Sequence, residues 1–449
     1  MATRAAPTKN VAADSNRRTV LKALGLAGAI CPFGGMAFAE SPARPPASGH
    51  VTDAPVANVA SADDRVPVYG LHQAGITTAR PVNGMIASFD VVADTPDELE
   101  RLFRDLTARI VFLTHGGPVP EVDPRLPPLD SGIVGPIVRP DALTVTLSLG
   151  ASLFEDRPWL KPLKPKRLVR MMRFHNDALD GQICHGDLTL QICANTQDTT
   201  IHALRDIIKN SPGQLILKWK QEGNVPVIMP RPDGMVESAR NFLGFRDGSA
   251  NPDAGDDALM DHLVWVGANH GEPAWAAGGS YQAVRIIRNF VERWDRTPLG
   301  EQERIMGRAK MSGAPLDKRS GHEFMTPNYA DDPEGKVTPF DAHIRLANPR
   351  TTETRDSLIL RRPFNYSNGV TKSGQLDQGL LFICYQADLD QGFIAVQRRL
   401  DGEPLEEYIK PVGGGFFYTL QGIRDASDFL GSSLMAAVRA GATSQSAPG

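Results

Sequence analysis

The 449-residue chain predicts an α+β fold: two ferredoxin-like (βαββαβ) domains whose antiparallel sheets pack together. Three observations carry that expectation. Segments with strand and helix patterning follow one another as β-α-β-β-α-β, the same order returns in the second half, and the length suits two domains that each bury a core.

The first 39 residues stand apart from this plan. Ser15-Asn-Arg-Arg-Thr-Val-Leu-Lys22 holds a twin arginine, and the uncharged run Ala23–Ala39 ends in Ala37-Phe38-Ala39, a small-x-small cleavage pattern. A twin-arginine signal peptide is expected, cut after Ala39, with export to the periplasm. The run is short for a bilayer span, which wants about twenty residues. Arg4, Lys9, Arg17, Arg18 and Lys22 outnumber Asp14 there, so the remainder is more acidic than the formal charge of −4. A nucleic-acid footprint needs concentrated basic charge, so no such partner is expected. Residues 40–65, rich in Pro, Ala and Ser, read as a linker. Cys184, Cys193 and Cys384 follow it. Three thiols cannot all pair, and their apolar neighbours suit buried small hydrophobes.

The first domain is expected over 66–238. A strand covers Ile86–Val92. Thr95-Pro96-Asp97-Glu98 is a capping box with Pro at the first helical position, and Leu99, Leu102, Phe103, Leu106 and Ile110 form one apolar helix face. Leu143–Leu149 alternates Thr and Ser with Leu and Val, the pattern of a half-buried strand. A strand at Asp187–Cys193, a helix at Asp198–Ile208 and a strand at Gln214–Lys220 complete the unit. The second domain, 239–440, repeats the order. Tyr281–Arg288 is a strand, and Thr297-Pro298 opens a helix to about Arg308. Ser357–Arg362 and Leu380–Gln386 are strands, Asp390–Leu400 a helix and Phe416–Leu420 the last strand. Lys310–Phe340 is long, polar and aperiodic, and such loops in compact domains tend to be functional. Residues 441–449 read as a disordered tail.

The stretch Asn241-Phe-Leu-Gly-Phe-Arg-Asp-Gly-Ser-Ala-Asn-Pro252 is the densest in chemistry. Gly244 and Gly248 bracket a Phe-Arg-Asp triplet, which lets the chain bend tightly and presents Asp247 at the tip. An arbitrary Asp-Gly pair is a surface turn. Here the apolar flank of Phe242, Leu243 and Phe245 is expected to bury the loop, and a buried carboxylate is costly unless paired or used.

Gly244-Phe-Arg-Asp-Gly-Ser-Ala-Asn-Pro252 and Ala342-His-Ile-Arg-Leu-Ala-Asn-Pro-Arg350 together resemble the dye-decolorizing (DyP-type) heme peroxidase family, nearest its exported deferrochelatase/peroxidase subgroup. Tyr69–Ile76, Gly186–Ala194, Gly278–Gln282 and Trp294–Glu303 are also similar, so the resemblance spans nearly all of the chain after residue 65.

The resemblance implies two ferredoxin-like domains with heme b, one per chain and non-covalent, in the C-terminal one. It implies that His343 is the iron ligand, and that a carboxylate behind the imidazole, placed by analogy at Glu406, pushes electron density toward the metal. Asp247 and Arg361 are the implied catalytic pair. Heme peroxidases need a base to move a proton on bound hydrogen peroxide and a fixed cation for the developing negative charge. Strand alternation sends Arg362 to the opposite side from Arg361. Where some relatives carry an Asn two residues after this arginine, this chain has Pro363, which argues against a third member. Arg246 and Arg345 (with Arg350) are candidates for the heme propionates, since a guanidinium fork fits a carboxylate. Gly248 would let the main chain approach the cofactor. The expected activity is reduction of hydrogen peroxide with oxidation of dyes, phenols or ferrous iron. The alternative is a heme-binding deferrochelatase that releases iron, with iron-uptake proteins as partners. A non-catalytic ferredoxin-like module is a third reading. A homodimer or larger assembly is implied.

Overall fold

The computed structural model describes residues 61–228, 230–232 and 234–445. The expected signal segment and most of the expected linker lie outside them. Both halves show the strand order of a ferredoxin-like unit.

In the first half the elements are β1 (Asn83–Val91), α1 (Pro96–His115), the two-residue pair β2 (Gly117–Pro118) and β3 (Ile137–Val138), β4 (Thr144–Gly150), α2 (Ala151–Glu155), β5 (Leu188–Ala194), α3 (Gln197–Asn210) and β6 (Leu215–Asn224). They form an antiparallel sheet in the order β4-β5-β1-β6. Helix α1 begins where its sequence says it should. The Thr95 hydroxyl accepts the Glu98 N–H at 3.3 Å, and the Glu98 carboxylate accepts the Thr95 N–H at 3.1 Å. Its five expected apolar residues are all buried, in one core with the inward residues of β1, β4 and β5.

The second half adds α4 (Asp257–Leu263), β7 (Ser280–Asn289), α5 (Val291–Trp294), α6 (Leu299–Met306), α7 (His343–Ala347), β8 (Leu360–Arg361), β9 (Phe364–Val370), β10 (Leu376–Gln386), α8 (Ala395–Leu400), β11 (Ile409–Thr419) and α9 (Ser432–Gln445). Its sheet runs β11-β7-β10-β9, the same relative order as the first, with β8 on the far end of β10. The sheets also join edge to edge. β11 pairs with β4 through Phe417–Thr419 and Ser148–Gly150, and β6 meets β9 at Asn224 and Asn365. The strands therefore close on themselves and cover edges that would otherwise expose unpaired backbone groups.

Closure explains one departure from the sequence pattern. Strand β4 is buried on both faces rather than half-buried. Two of its polar residues face partners instead of water: the Thr146 hydroxyl donates to the Ala74 carbonyl at 2.6 Å, and Ser148 shares a 2.8 Å bond with Thr419.

Four expected elements differ from those observed. Ser357–Arg362 is mostly not a strand: Thr352–Ser357 is a 3-10 turn and only Leu360–Arg361 pairs, with Tyr385 and Cys384. The main strand is β9, hidden in the sequence behind Pro363 and among Asn and Gly residues that favour turns. The helix at Asp390–Leu400 opens as a π turn with Gly392 off the helical angles, and α8 begins at Ala395. Strand β11 starts at Ile409, well ahead of Phe416, and its glycine run reads as a turn but is sheet. Gly414 sits at φ +120°, where a Cβ would fall 2.0 Å from the Val284 carbonyl, so close approach to β7 requires glycine there. Helix α9 reaches Gln445, into the expected disordered tail; 446–449 lie outside the described residues.

Cys184, Cys193 and Cys384 are buried and unpaired. No helix among the described residues is long and apolar enough to cross a membrane.

Candidate active site

The loop after residue 240 is built by its own side chains. The Asn241 carboxamide oxygen accepts the N–H groups of Leu243 and Phe245 at 3.1 and 3.2 Å, and Gly244 takes φ +87°. Leu243 and Phe245 are buried with Trp294, Ile305, Met306, Leu405 and Tyr408, whereas Phe242 is exposed, contrary to expectation. The chain then doubles back: Arg240 bridges Arg246, and the Asp247 N–H reaches the Ala239 carbonyl at 2.8 Å.

Asp247 and Arg361 are brought together. Arg361 Nη1 donates to Asp247 Oδ1 at 2.6 Å, with both side chains largely buried. Asn251, four residues past Asp247, fixes the partner: its carboxamide accepts the Arg361 N–H at 2.8 Å and donates to the Arg361 carbonyl at 3.0 Å. Arg362 turns the other way and donates to the Ala79 carbonyl at 3.0 Å.

His343 is the first residue of α7, a helix of five residues held by its surroundings. Arg399 donates to the carbonyls of Leu346 and Ala347 at its C-terminus, and Ile344 packs where a side chain on Gly307 would stand. His343 Nδ1 donates to Glu403 Oε2 at 2.7 Å, which leaves Nε2 free for a metal. Burial alone would lower the imidazole pKa, but the charge and hydrogen bond of Glu403 raise it.

The carboxylate behind the histidine is thus Glu403, not Glu406. Glu403 stands just before the 3-10 turn Pro404–Glu407, while Glu406, one turn on, accepts the Gly402 N–H at 3.0 Å. Three glutamates in five residues differ only in which way a short turn points them. Exchanging Glu403 for Gln should weaken heme binding or activity by about 10- to 100-fold, as loss of such an outer hydrogen bond does, whereas Glu406→Gln should change either less than twofold; heme titration of both variants checks this.

Asp247, Arg361, His343, Glu403 and Glu406 line one cavity. Its lining comes from the second half except for Asn176, with Leu380 and Phe382 of β10, Ile287 of β7 and Phe393 supplying apolar wall. Arg308 and Arg350 also line it, and among the described residues neither forms an ion pair with a carboxylate. Arg308 donates to the carbonyls of Gly313 and Glu323, and burial pulls its pKa down to about 10. Guanidiniums without an ion pair beside an apolar wall suit a guest that is apolar in its body and carries anionic groups.

Three expected cofactor contacts do not have that character. Arg246 does line the cavity, but its guanidinium is engaged by Glu237 and by the Ser238 carbonyl. Arg345 is outside the cavity lining, bonded to Asp332 and the Thr338 carbonyl between the rings of Tyr329 and Phe340. Gly248 is needed for another reason: a Cβ would meet Ser238 Cβ at 2.6 Å. The sequence carried no sign of Arg308, whose neighbours are a glycine and an alanine. Asn251 was legible, since it lies inside the loop motif.

Residues 73–224 match the family described as Dyp-type peroxidase, N-terminal, and residues 238–424 match Dyp-type peroxidase, C-terminal. The chain belongs to the Dyp-type peroxidase family and is a heme peroxidase. Among curated relatives, "Deferrochelatase" of Escherichia coli O157:H7 is 55% identical over 95% of this chain and 98% of its own length, and "Deferrochelatase" of Shigella sonnei (strain Ss046) is 55% identical over 94% and 97%. The DyP-type peroxidase from Cellulomonas bogoriensis superposes with a TM-score of 0.73 at 34% identity, covering 83% of this chain and 99% of that one. Ferric DtpA from Streptomyces lividans gives 0.73 at 31%, covering 84% and 98%.

Proposed function

We propose that this protein is a periplasmic heme b peroxidase, holding one non-covalent heme per chain in the domain formed by residues 239–440, next to an N-terminal domain of 66–238. What supports the reading most is one cavity that holds both a carboxylate-backed imidazole and a carboxylate–guanidinium pair. Its substrates are hydrogen peroxide and a phenolic, dye-like or ferrous reductant. Export through residues 1–39 rests on the twin-arginine sequence, and a homodimer or larger assembly on the family resemblance.

When bound, the heme supplies the iron at which peroxide is split and stores the oxidising equivalents that the reductant takes up. His343 would hold that iron through Nε2, its tautomer set by the Nδ1–H bond to Glu403, which also makes it a more basic ligand. Asp247 accepts the proton from the inner oxygen of peroxide and returns it to the outer oxygen, so that water can leave. Arg361 holds Asp247 in position and offsets the negative charge that develops as the proton moves. Arg308 and Arg350 would receive the heme carboxylates, a reading supported by their place in the cavity lining and by the lack of an ion pair at either among the described residues.

A second reading has its own support: relatives 55% identical over nearly the whole chain bear the name deferrochelatase. One experiment separates the two. Heme-loaded protein is mixed with a phenol or dye, with and without peroxide, while the fluorescence of metal-free porphyrin is recorded. Peroxide-dependent bleaching with intact heme is the expected result. Metal-free porphyrin accumulating without bleaching would favour iron release instead.

A further inference from the structure

Glu323 lies in the aperiodic segment before His343 and is buried to 1% exposure. Its ion pair, to Arg246, is a long one, and its hydrogen bonds go elsewhere. Oε1 accepts the Ser238 N–H at 2.7 Å, and Oε2 accepts the hydroxyls of Ser249, at 2.9 Å, and of Ser238. The nearest cation is Arg246 Nε at 3.8 Å, and that guanidinium is engaged by Glu237. Ser238 and Ser249 flank Asp247 from the two sides of its loop. Ser238 precedes Ala239, whose carbonyl takes the Asp247 N–H, and Ser249 comes two residues after Asp247. Gly248 is pressed against Ser238, so the two sides have no slack between them. A buried carboxylate is expensive to desolvate, and here three hydrogen bonds to one loop compensate it together with the nearby charges of Arg246, Arg308 and Arg240.

We propose that Glu323 is a positioning residue for peroxide activation: it clamps Ser238 to Ser249 and so holds Asp247 within proton-transfer reach of the peroxide oxygen. This gives the long aperiodic segment a function in the same reaction, and it rests on Asp247 being the base. Shifting a catalytic group by about 1 Å can cost about a hundredfold in rate. The clamp bears on the peroxide step alone, because electron transfer from the reductant makes no use of Asp247.

The test uses full-length Glu323→Ala, Glu323→Gln and Ser249→Ala with two readouts. In the heme-loaded proteins, stopped-flow absorbance gives the rate of reaction with peroxide, and separately the rate with reductant. In the heme-free proteins, hydrogen exchange reports on residues 238–251. Glu323→Ala should slow the peroxide step about a hundredfold with the reductant step and heme content unchanged, and should raise exchange over 238–251. Glu323→Gln, which keeps one acceptor oxygen, should recover part of the rate. Should Glu323→Ala fail to fold, Ser249→Ala decides: it removes a single bond and should slow the same step several-fold. A wild-type peroxide rate in Glu323→Ala or, failing that, Ser249→Ala, or unchanged exchange in 238–251, overturns the proposal. The two layers fail differently. A fast Asp247→Asn would sink the base assignment and the proposal with it; a slow Asp247→Asn beside a fast Glu323→Ala would sink the proposal alone.

Discussion

Replacing Asp247 by Asn is expected to slow the reaction of the heme-loaded protein with hydrogen peroxide by about 10²- to 10⁴-fold, the usual contribution of a positioned base. The carboxamide keeps the shape of the loop, and its oxygen can still accept from Arg361, but it cannot take up a proton. Heme content and the reaction with reductant should be untouched. Arg361→Leu should cost about 10²- to 10³-fold in the same step, the range found when one charge-stabilising donor is lost. Because the two side chains bond each other at 2.6 Å, their effects cannot add. The double variant should be little slower than the worse single one. Stopped-flow absorbance across the peroxide concentration range measures all three, and a normal rate in Asp247→Asn would remove it from the proton-transfer role.

The second large effect is expected at His343. Without its imidazole the heme-binding constant should fall by at least about a hundredfold, since even the hydrogen bond behind such a ligand is worth 10- to 100-fold. The retained protein should bind porphyrin only through its apolar wall and the arginines. A pH dependence goes with this. Glu403 raises the His343 pKa, so in the heme-free protein the imidazolium persists to a higher pH than usual. Ligation needs the proton off Nε2, so heme affinity should climb as pH rises through that raised value and level off above it. Glu403→Gln removes the cause of the shift and should move the midpoint to lower pH. Heme titrations at a series of pH values give both curves.

The fold was largely legible because its elements are strongly patterned. The Thr95 capping box and the face from Leu99 to Ile110 need only local spacing, and both are present as read. What escaped depends on partners distant in sequence. β9 carries Asn and Gly that look like turn residues until β10 lies beside them, and the glycines of β11 make sense only against β7. The site divides the same way. Asp247, Arg361 and His343 sit in motifs, but the carboxylate behind the imidazole is decided by the direction of one 3-10 turn. Whether an arginine is free for a ligand depends on carboxylates elsewhere: Arg246 has Glu237, Arg345 has Asp332, and Arg308 has neither.

Heme-saturated His343→Gly, examined by absorption spectroscopy before and after adding free imidazole, bears most directly on the site as drawn. The variant should lose the wild-type Soret spectrum and regain it when imidazole fills the vacated space beside Glu403. If instead His343→Gly binds heme tightly and shows the wild-type spectrum with no imidazole added, another residue holds the iron and the assignment is wrong.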